Sequence, residues 1–127
     1  MTTKGIRGAI TVEANTREAL EEATLELLST MFEKNNLSGT SQISHIIFTT
    51  TKDLNAAFPA TFPRLAFDWN DVAMMCFHEL DVPNSLAMCL RILVVINCKE
   101  DFKPQFVYLK GAEKLRKWKN ILKRGIK

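Results

Sequence analysis

The chain has 127 residues, 46% of them hydrophobic, and a formal net charge of +3, which suits one compact domain. Its uninterrupted apolar runs, such as residues 92–96, are far too short to span a bilayer, and the amino-terminal segment lacks the apolar run of a signal peptide. The three cysteines form no C-x-x-C pair, which argues against a disulfide framework and favours a cytoplasmic protein without membrane partners.

The first half of the chain predicts two strands with a long helix between them. Residues 4–12 alternate between apolar side chains and small or polar ones, which predicts a strand with Arg7 on a face of small neighbours. Apolar residues recur at helical spacing over residues 16–34, where Asn15 is the expected N-cap. The β-branched run at residues 43–51 predicts a buried strand.

The second half of the chain is richer in strands. Two prolines limit residues 53–67 to short helical turns. Residues 72–80 and the apolar run 89–98 predict strands, and a last short strand is expected within residues 104–112. The order predicts a single α+β domain over residues 1–127, with a mixed β-sheet, one long helix and short helical turns.

The carboxyl-terminal segment is strongly basic. Residues 110–127 carry eight basic residues and one acidic residue, a net charge of +7 that leaves −4 for the rest of the chain. Leu115, Trp118 and Leu122 have amphipathic helical spacing. The segment is either a basic helix docked by its apolar side or a mobile cover that attracts an anion. Nucleic acid is not an expected partner, because one basic face offers no base readout.

The stretch CFHELDV, residues 76–82, brings a thiol, an imidazole and a carboxylate close together in sequence. Cys76 and His78 share one face of the predicted strand, but a zinc site needs three or four protein ligands. The other cysteines and His45 show no metal-ligand spacing, and nothing nearby in sequence orients the imidazole for Cys–His catalysis. We therefore expect no metal and no cofactor.

Three isolated charges lie within otherwise apolar strands: Arg7, Glu79 and Arg91. Such residues are almost never fully buried unless they are paired. They either pair with one another or reach solvent at strand ends, or they line a cleft that binds an anion through two arginines.

Five segments, taken in order, carry a resemblance to a known family: GIRGAITVE, AAFPATFPR, MCFHELDV, CLRILV and VYLKGAEKLR. Together they resemble the successive motifs of the AroH-class chorismate mutases, over residues 4–116. The resemblance implies conversion of chorismate to prephenate on the path to phenylalanine and tyrosine. It also implies a homotrimeric pseudo α/β barrel with active sites between subunits.

The resemblance assigns roles to five polar residues. Arg7 and Tyr108 match residues that hold a substrate carboxylate, and Arg64 matches an arginine at the entrance. Arg91 matches the arginine at the ether oxygen, and Glu79 matches the carboxylate that faces the ring. Arg7, Glu79 and Arg91 are thus the expected catalytic residues.

The resemblance also implies other substrate contacts: Phe58 and Ala60 in the pocket wall, Cys76 beside Glu79 at the ring and its hydroxyl, Leu115 as an apolar contact near the carboxyl terminus, and the strand of Met74 and Met75. Met74 and Met75 depart from the family, which often has a small or hydroxyl residue before the cysteine. That strand contacts the substrate hydroxyl through its backbone, so the contact is expected to survive. Cys76 and Glu79 differ in strand parity, and both can face one site only if the strand ends or bulges between them.

Two other functions remain open from the sequence. One is a non-catalytic trimer that binds a small carboxylate, because one fold hosts many functions. Retention of both Glu79 and Arg91 argues against it, since binding alone needs only the groups that hold the carboxylates. The other is an imine deaminase of the RidA type, which would need a different arginine environment.

Overall fold

A computed structural model describes residues 1–115 and forms one five-stranded sheet with its helices. The strands are β1 (Thr2–Thr11), β2 (Ile43–Thr50), β3 (Ala73–His78), β4 (Cys89–Cys98) and β5 (Val107–Leu109). The helices are α1 (Arg17–Lys34) and α2 (Thr61–Phe67), and a 3-10 turn follows β5 at Lys110–Ala112. The predicted order of elements and the α+β class are confirmed. The amphipathic helix predicted through Trp118 and Leu122 lies outside the described residues.

The sheet is mixed, with strand order β3-β2-β4-β1-β5. The central strand β4 pairs antiparallel with β1 and β2, whereas the outer strands β5 and β3 pair parallel with β1 and β2. The apolar run at residues 89–98 thus forms the central strand, with a neighbouring strand paired along each of its edges. Register places Arg91 opposite Ala9 on one side and opposite Thr49 on the other.

One face of the sheet is covered by α1 and forms the core. Alternate residues of the three inner strands point into it, and they are fully or almost fully buried: Ile6, Ile10, Ile46, Phe48, Leu90, Ile92, Val94 and Ile96. Leu20, Leu27 and Met31 of α1 are fully buried against them. Helix and sheet approach each other closely at Gly8, where a Cβ atom would overlap Met31 Sδ. Helix α1 thus packs closely on this part of the sheet.

The start of α1 differs from the prediction in its capping residue. Thr16, not Asn15, is the N-cap, and its Oγ1 accepts a hydrogen bond from the Ala19 backbone N–H at 3.1 Å. Asn15 instead holds the loop that follows β2, because its Oδ1 accepts hydrogen bonds from the backbone N–H groups of Asn55 and Ala56. A hydroxyl and an amide are both suitable caps, so local sequence did not distinguish them.

The opposite face of the sheet is only partly covered. We call this surface the open face; it carries Arg7 of β1, Thr49 of β2 and Arg91 of β4, and Met75 and Phe77 of β3. Met75, Phe77 and Arg7 are exposed, and Thr49 and Arg91 are partly exposed. No helix formed by residues 1–115 is long and apolar enough to cross a membrane.

Candidate active site

The open face has a hollow of about 230 Å³ lined by charged and apolar side chains. Arg7, Glu79 and Arg91 all line it, beside Thr49 and Leu93. Arg7 extends from β1 opposite Leu93, and Arg91 extends from β4. Arg7, Glu79 and Arg91 are far apart in sequence, and the folded sheet brings their side chains together in one hollow.

Glu79 and Arg91 form an ion pair in this hollow. Arg91 Nε lies 3.6 Å from Glu79 Oε2, and the two side chains are 28% and 33% exposed respectively. Arg91 Nε is itself buried and has no hydrogen-bond partner. The pair is thus close enough for electrostatic attraction, and the Nε–H donor of the guanidinium has no hydrogen-bond partner.

Glu79 is held by contacts on both of its carboxylate oxygens. Glu79 lies just beyond the end of β3, and its backbone N–H donates to the carbonyl oxygen of Thr50 at 2.8 Å, which fixes its backbone. The Leu80 backbone N–H donates to Oε1 at 3.1 Å, and the Thr49 hydroxyl donates to Oε2 at 3.5 Å. The carboxylate therefore faces the hollow in a defined orientation.

Tyr108 and Leu115 lie at the side of the open face nearest β5. Tyr108 pairs with Ala9, which pairs in turn with Arg91, so Tyr108 stands in the same row across three strands. Both residues pack on a small cluster that contains Ala9 and Cys89. Burial raises the pKa of the Cys89 thiol, and the charge of Arg91 partly offsets this effect. Cys89 is therefore a neutral neighbour of the arginine at neutral pH.

A second hollow, of about 220 Å³, lies at the β3 edge of the sheet, and we call it the edge hollow. It is lined by Phe58, Cys76 and His78, among others. Burial raises the pKa of the Cys76 thiol, while a hydrogen bond from the Ala60 backbone and the charge of Arg64 act in the opposite direction. Phe58, Ala60, Arg64 and Cys76 thus form a second group, separate from the charged hollow.

The imidazole of His78 contacts Thr50 in this hollow. Its Nδ1 lies 3.2 Å from both the carbonyl oxygen and the hydroxyl of Thr50. Cys76 and His78 do share a strand face, as parity predicted, but the contacted ring nitrogen is committed to Thr50. Among residues 1–115, no three His, Cys, Asp or Glu side chains are grouped as metal ligands.

The two methionines before Cys76 point in opposite directions. Met74 packs against the core on the same face as Cys76, whereas Met75 is 60% exposed on the open face. Glu79 also faces the open side, because strand parity alternates through His78 without a bulge in the pairing of β3. One chain therefore does not bring Cys76 and Glu79 into a common cleft.

Sequence reasoning missed two residues that support the charged hollow. Thr49 belongs to the β-branched strand predicted at residues 43–51, and only the pairing of β2 with β4 places it beside Arg91. Asp53 lies in the segment for which only short helical turns are predicted, and its Oδ2 accepts a hydrogen bond from the Met88 backbone N–H at 3.0 Å. Asp53 thereby helps to fix the chain just before Arg91.

The fold and the hollow define a class: a small α+β protein that offers two arginines and a carboxylate to a small anion. Residues 3–118 match the model of the family described as chorismate mutase type I. The chain is 40% identical over 114 residues to chorismate mutase AroH of Thermus thermophilus, covering 89% of this chain and 93% of that protein. It is 34% identical over 96 residues to chorismate mutase AroH of Bacillus subtilis, covering 76% and 75%.

A solved structure agrees with these sequence comparisons. The chorismate mutase from Clostridium thermocellum superposes with a TM-score of 0.82 at 45% identity, covering 87% of this chain and 98% of that one. The chain belongs to the chorismate mutase type I family. The predicted family, the predicted fold and the predicted enzyme class, an isomerase of the chorismate mutase type, are confirmed.

Proposed function

We propose that this protein converts chorismate to prephenate by a Claisen rearrangement, in phenylalanine and tyrosine biosynthesis in the cytoplasm. The observation that carries the proposal is the hollow on the open face, where Arg7, Glu79 and Arg91 converge. Family membership supplies the substrate, and the convergence of these charges supplies a chemical reason for the reaction.

The reaction needs charge stabilisation and no covalent step. Chorismate rearranges within one molecule: its ether C–O bond breaks while a new C–C bond forms, and no proton, hydride or other group leaves. As the C–O bond breaks, the ether oxygen gains negative charge and the ring gains positive charge. A fixed cation at the oxygen and a fixed anion near the ring stabilise this state more than the ground state.

Arg91 and Glu79 fit these two roles. Arg91 has a buried Nε without a hydrogen-bond partner, and it is the cation we assign to the ether oxygen. Glu79, 3.6 Å away, is the anion we assign to the ring. Because the sheet and the Leu80 backbone hold this pair before substrate arrives, little reorganisation accompanies the reaction.

The remaining polar residues bind and orient the substrate. Chorismate is a dicarboxylate, and arginine can hold a carboxylate with two parallel hydrogen bonds. We assign this role to Arg7, with Tyr108 as a second carboxylate contact, and we place Arg64 at the entrance. Holding the side chain over the ring selects the reactive conformer.

We infer that the complete site forms between copies in a homotrimer. Three residues that the resemblance assigns to the substrate site, Phe58, Ala60 and Cys76, lie at the edge hollow and not on the open face. Two groups on different sides of one sheet can complete one site only if a neighbouring copy supplies the second. Exposed Met75, Phe77 and Leu80 provide apolar surface for such a contact.

An assay with chorismate tests the proposed activity. The purified protein should accelerate loss of the chorismate diene absorbance in the ultraviolet, with prephenate as the product. A rate equal to that in buffer would contradict the proposal. Light scattering tests the assembly separately, because a stable monomer in solution would contradict a site built between copies.

A further inference from the structure

The hydroxyl of Thr49 lies beside the ion pair and contacts the same carboxylate oxygen as Arg91. Thr49 Oγ1 is 3.5 Å from Glu79 Oε2, and that oxygen is 3.6 Å from Arg91 Nε. Thr49 also stands opposite Arg91 in the pairing of β2 with β4. The three polar groups thus meet at one oxygen, and all of them line the open-face hollow.

The other oxygen of Glu79 has a different support. Oε1 accepts from the Leu80 backbone N–H at 3.1 Å, a contact that restrains one end of the carboxylate. A carboxylate held at one oxygen only can still turn about its terminal torsion, since that torsion is broad. Thr49 supplies the second point of restraint, on the oxygen that faces Arg91.

Rotation of the Glu79 carboxylate would change how both charged groups, Glu79 and Arg91, are presented to the substrate. Arg91 Nε is buried without a hydrogen-bond partner, so an unrestrained Glu79 oxygen would be drawn into direct contact with it. That contact would tie the guanidinium to Glu79 and withdraw the carboxylate from the ring side. Both groups act through their fixed positions, so the loss would be felt in the transition state.

From this geometry we infer that Thr49 is a positioning residue, whose hydroxyl fixes the Glu79 carboxylate so that Glu79 and Arg91 remain separately available to the substrate. The inference rests on the proposed function and adds a residue to it. Thr49 need not touch the substrate, so its removal should lower kcat and leave KM nearly unchanged.

Substitution of Thr49 by valine and by serine separates the hydroxyl from the methyl group. Thr49→Val keeps the branched shape suited to a strand, and we expect kcat to fall about tenfold with KM within about twofold of the wild type. Thr49→Ser keeps the hydroxyl and should retain kcat within about twofold. Thr3→Val is the matched control, because Thr3 donates to Asn97 at 2.9 Å on the same face, far along the strands.

Four kinetic results would overturn the inference: an unchanged kcat in Thr49→Val, a rise in KM alone, an equal loss in Thr49→Ser, or an equal loss in Thr3→Val. The carboxyl ¹³C resonance of Glu79 provides a readout that does not depend on activity. It should move in Thr49→Val and stay in place in Thr49→Ser. If the wild type failed to rearrange chorismate, the proposed function would fall, and this resonance would still decide whether Thr49 fixes Glu79.

Discussion

Replacement of Arg91 by alanine should separate catalysis from stability. In the proposed mechanism Arg91 is the cation at the bond that breaks, and removal of one preorganised donor costs about 3–4 kcal/mol in comparable sites. We therefore expect kcat/KM to fall about a hundredfold to a thousandfold, since each 1.36 kcal/mol corresponds to about tenfold in rate. Substrate carboxylate binding by Arg7 should persist, so most of the loss should appear in kcat.

The cost to folding should be much smaller. The Arg91 side chain is 28% exposed and that of Glu79 is 33% exposed, so water screens their attraction. Ion pairs with such exposure contribute about 0–1 kcal/mol. Arg91 Nε has no hydrogen-bond partner in the protein, so removal of this atom breaks no hydrogen bond. The free energy of unfolding should change by about 1 kcal/mol or less.

Two variants make this comparison specific to Arg91. Arg91→Lys keeps the positive charge but loses the planar group, and it should remain impaired because lysine lacks the fixed fork of donors. Lys52→Ala removes an ion pair with Asp81 at 3.3 Å, in which the side chains are 68% and 67% exposed. This pair lies in exposed loops, so its loss should leave both activity and stability near wild type.

The measurements are initial rates from diene absorbance, thermal unfolding by circular dichroism, and light scattering for the assembly. A kcat/KM within about threefold of wild type in Arg91→Ala would remove Arg91 from the mechanism, given the magnitude expected of one donor. A large loss of unfolding free energy would show instead that Arg91 is a structural residue. Either result would contradict a role for Arg91 in catalysis with little contribution to stability.

Three further substitutions or modifications follow from other contacts. Gly8→Ala should lower the free energy of unfolding by about 1–3 kcal/mol in urea, because its Cβ would overlap Met31 Sδ; an unchanged midpoint would mean that α1 yields easily. Thr16→Ala should cost about 1 kcal/mol by loss of the α1 N-cap, and no change would contradict that capping role. Cys76 should react slowly with iodoacetamide at neutral pH and faster as pH passes 9.0, because burial raises its pKa and only the thiolate reacts. A rate plateau below pH 8, followed by mass spectrometry, would contradict this ordering.

Local pattern was sufficient to predict most of the fold. The strand predicted at residues 89–98 has the same bounds in the structure, because its apolar run is central and buried. The strand predicted at residues 72–80 is shorter, Ala73–His78, because β3 lies at the sheet edge and pairs on one side only. The short helical turns predicted near the prolines form one helix of 7 residues, α2, and Pro63 lies in its first turn, where a missing N–H is tolerated.

The site was predicted less completely, because it depends on register between strands. The alternation of side chains along a strand predicted that Cys76 and Glu79 face different sides of the sheet, and the structure places them on different sides. Parity within one strand gave no information on which residue of β2 lies opposite Arg91, and Thr49 was therefore missed. The roles of the individual residues came from the resemblance, and they stay predictions until they are tested.

The separation of Cys76 and Glu79 leads to a quantitative test of a site between copies. Arg91→Ala damages the open face, while Phe58→Asp places an anion in the edge hollow, where Phe58 is 73% exposed and the fold is little affected. If each site takes its open face from one copy and its edge hollow from the next, randomly mixed trimers contain about one intact site in four.

An equimolar mixture of these two inactive variants, refolded together, should therefore recover about one quarter of the wild-type activity. Each variant refolded alone controls for residual activity, and light scattering confirms that both still assemble. Activity that stays at the level of the separate variants, despite mixed assembly, would show that one copy supplies both groups. Because the two groups lie on different sides of one sheet, that result would also require the chain to rearrange on binding substrate.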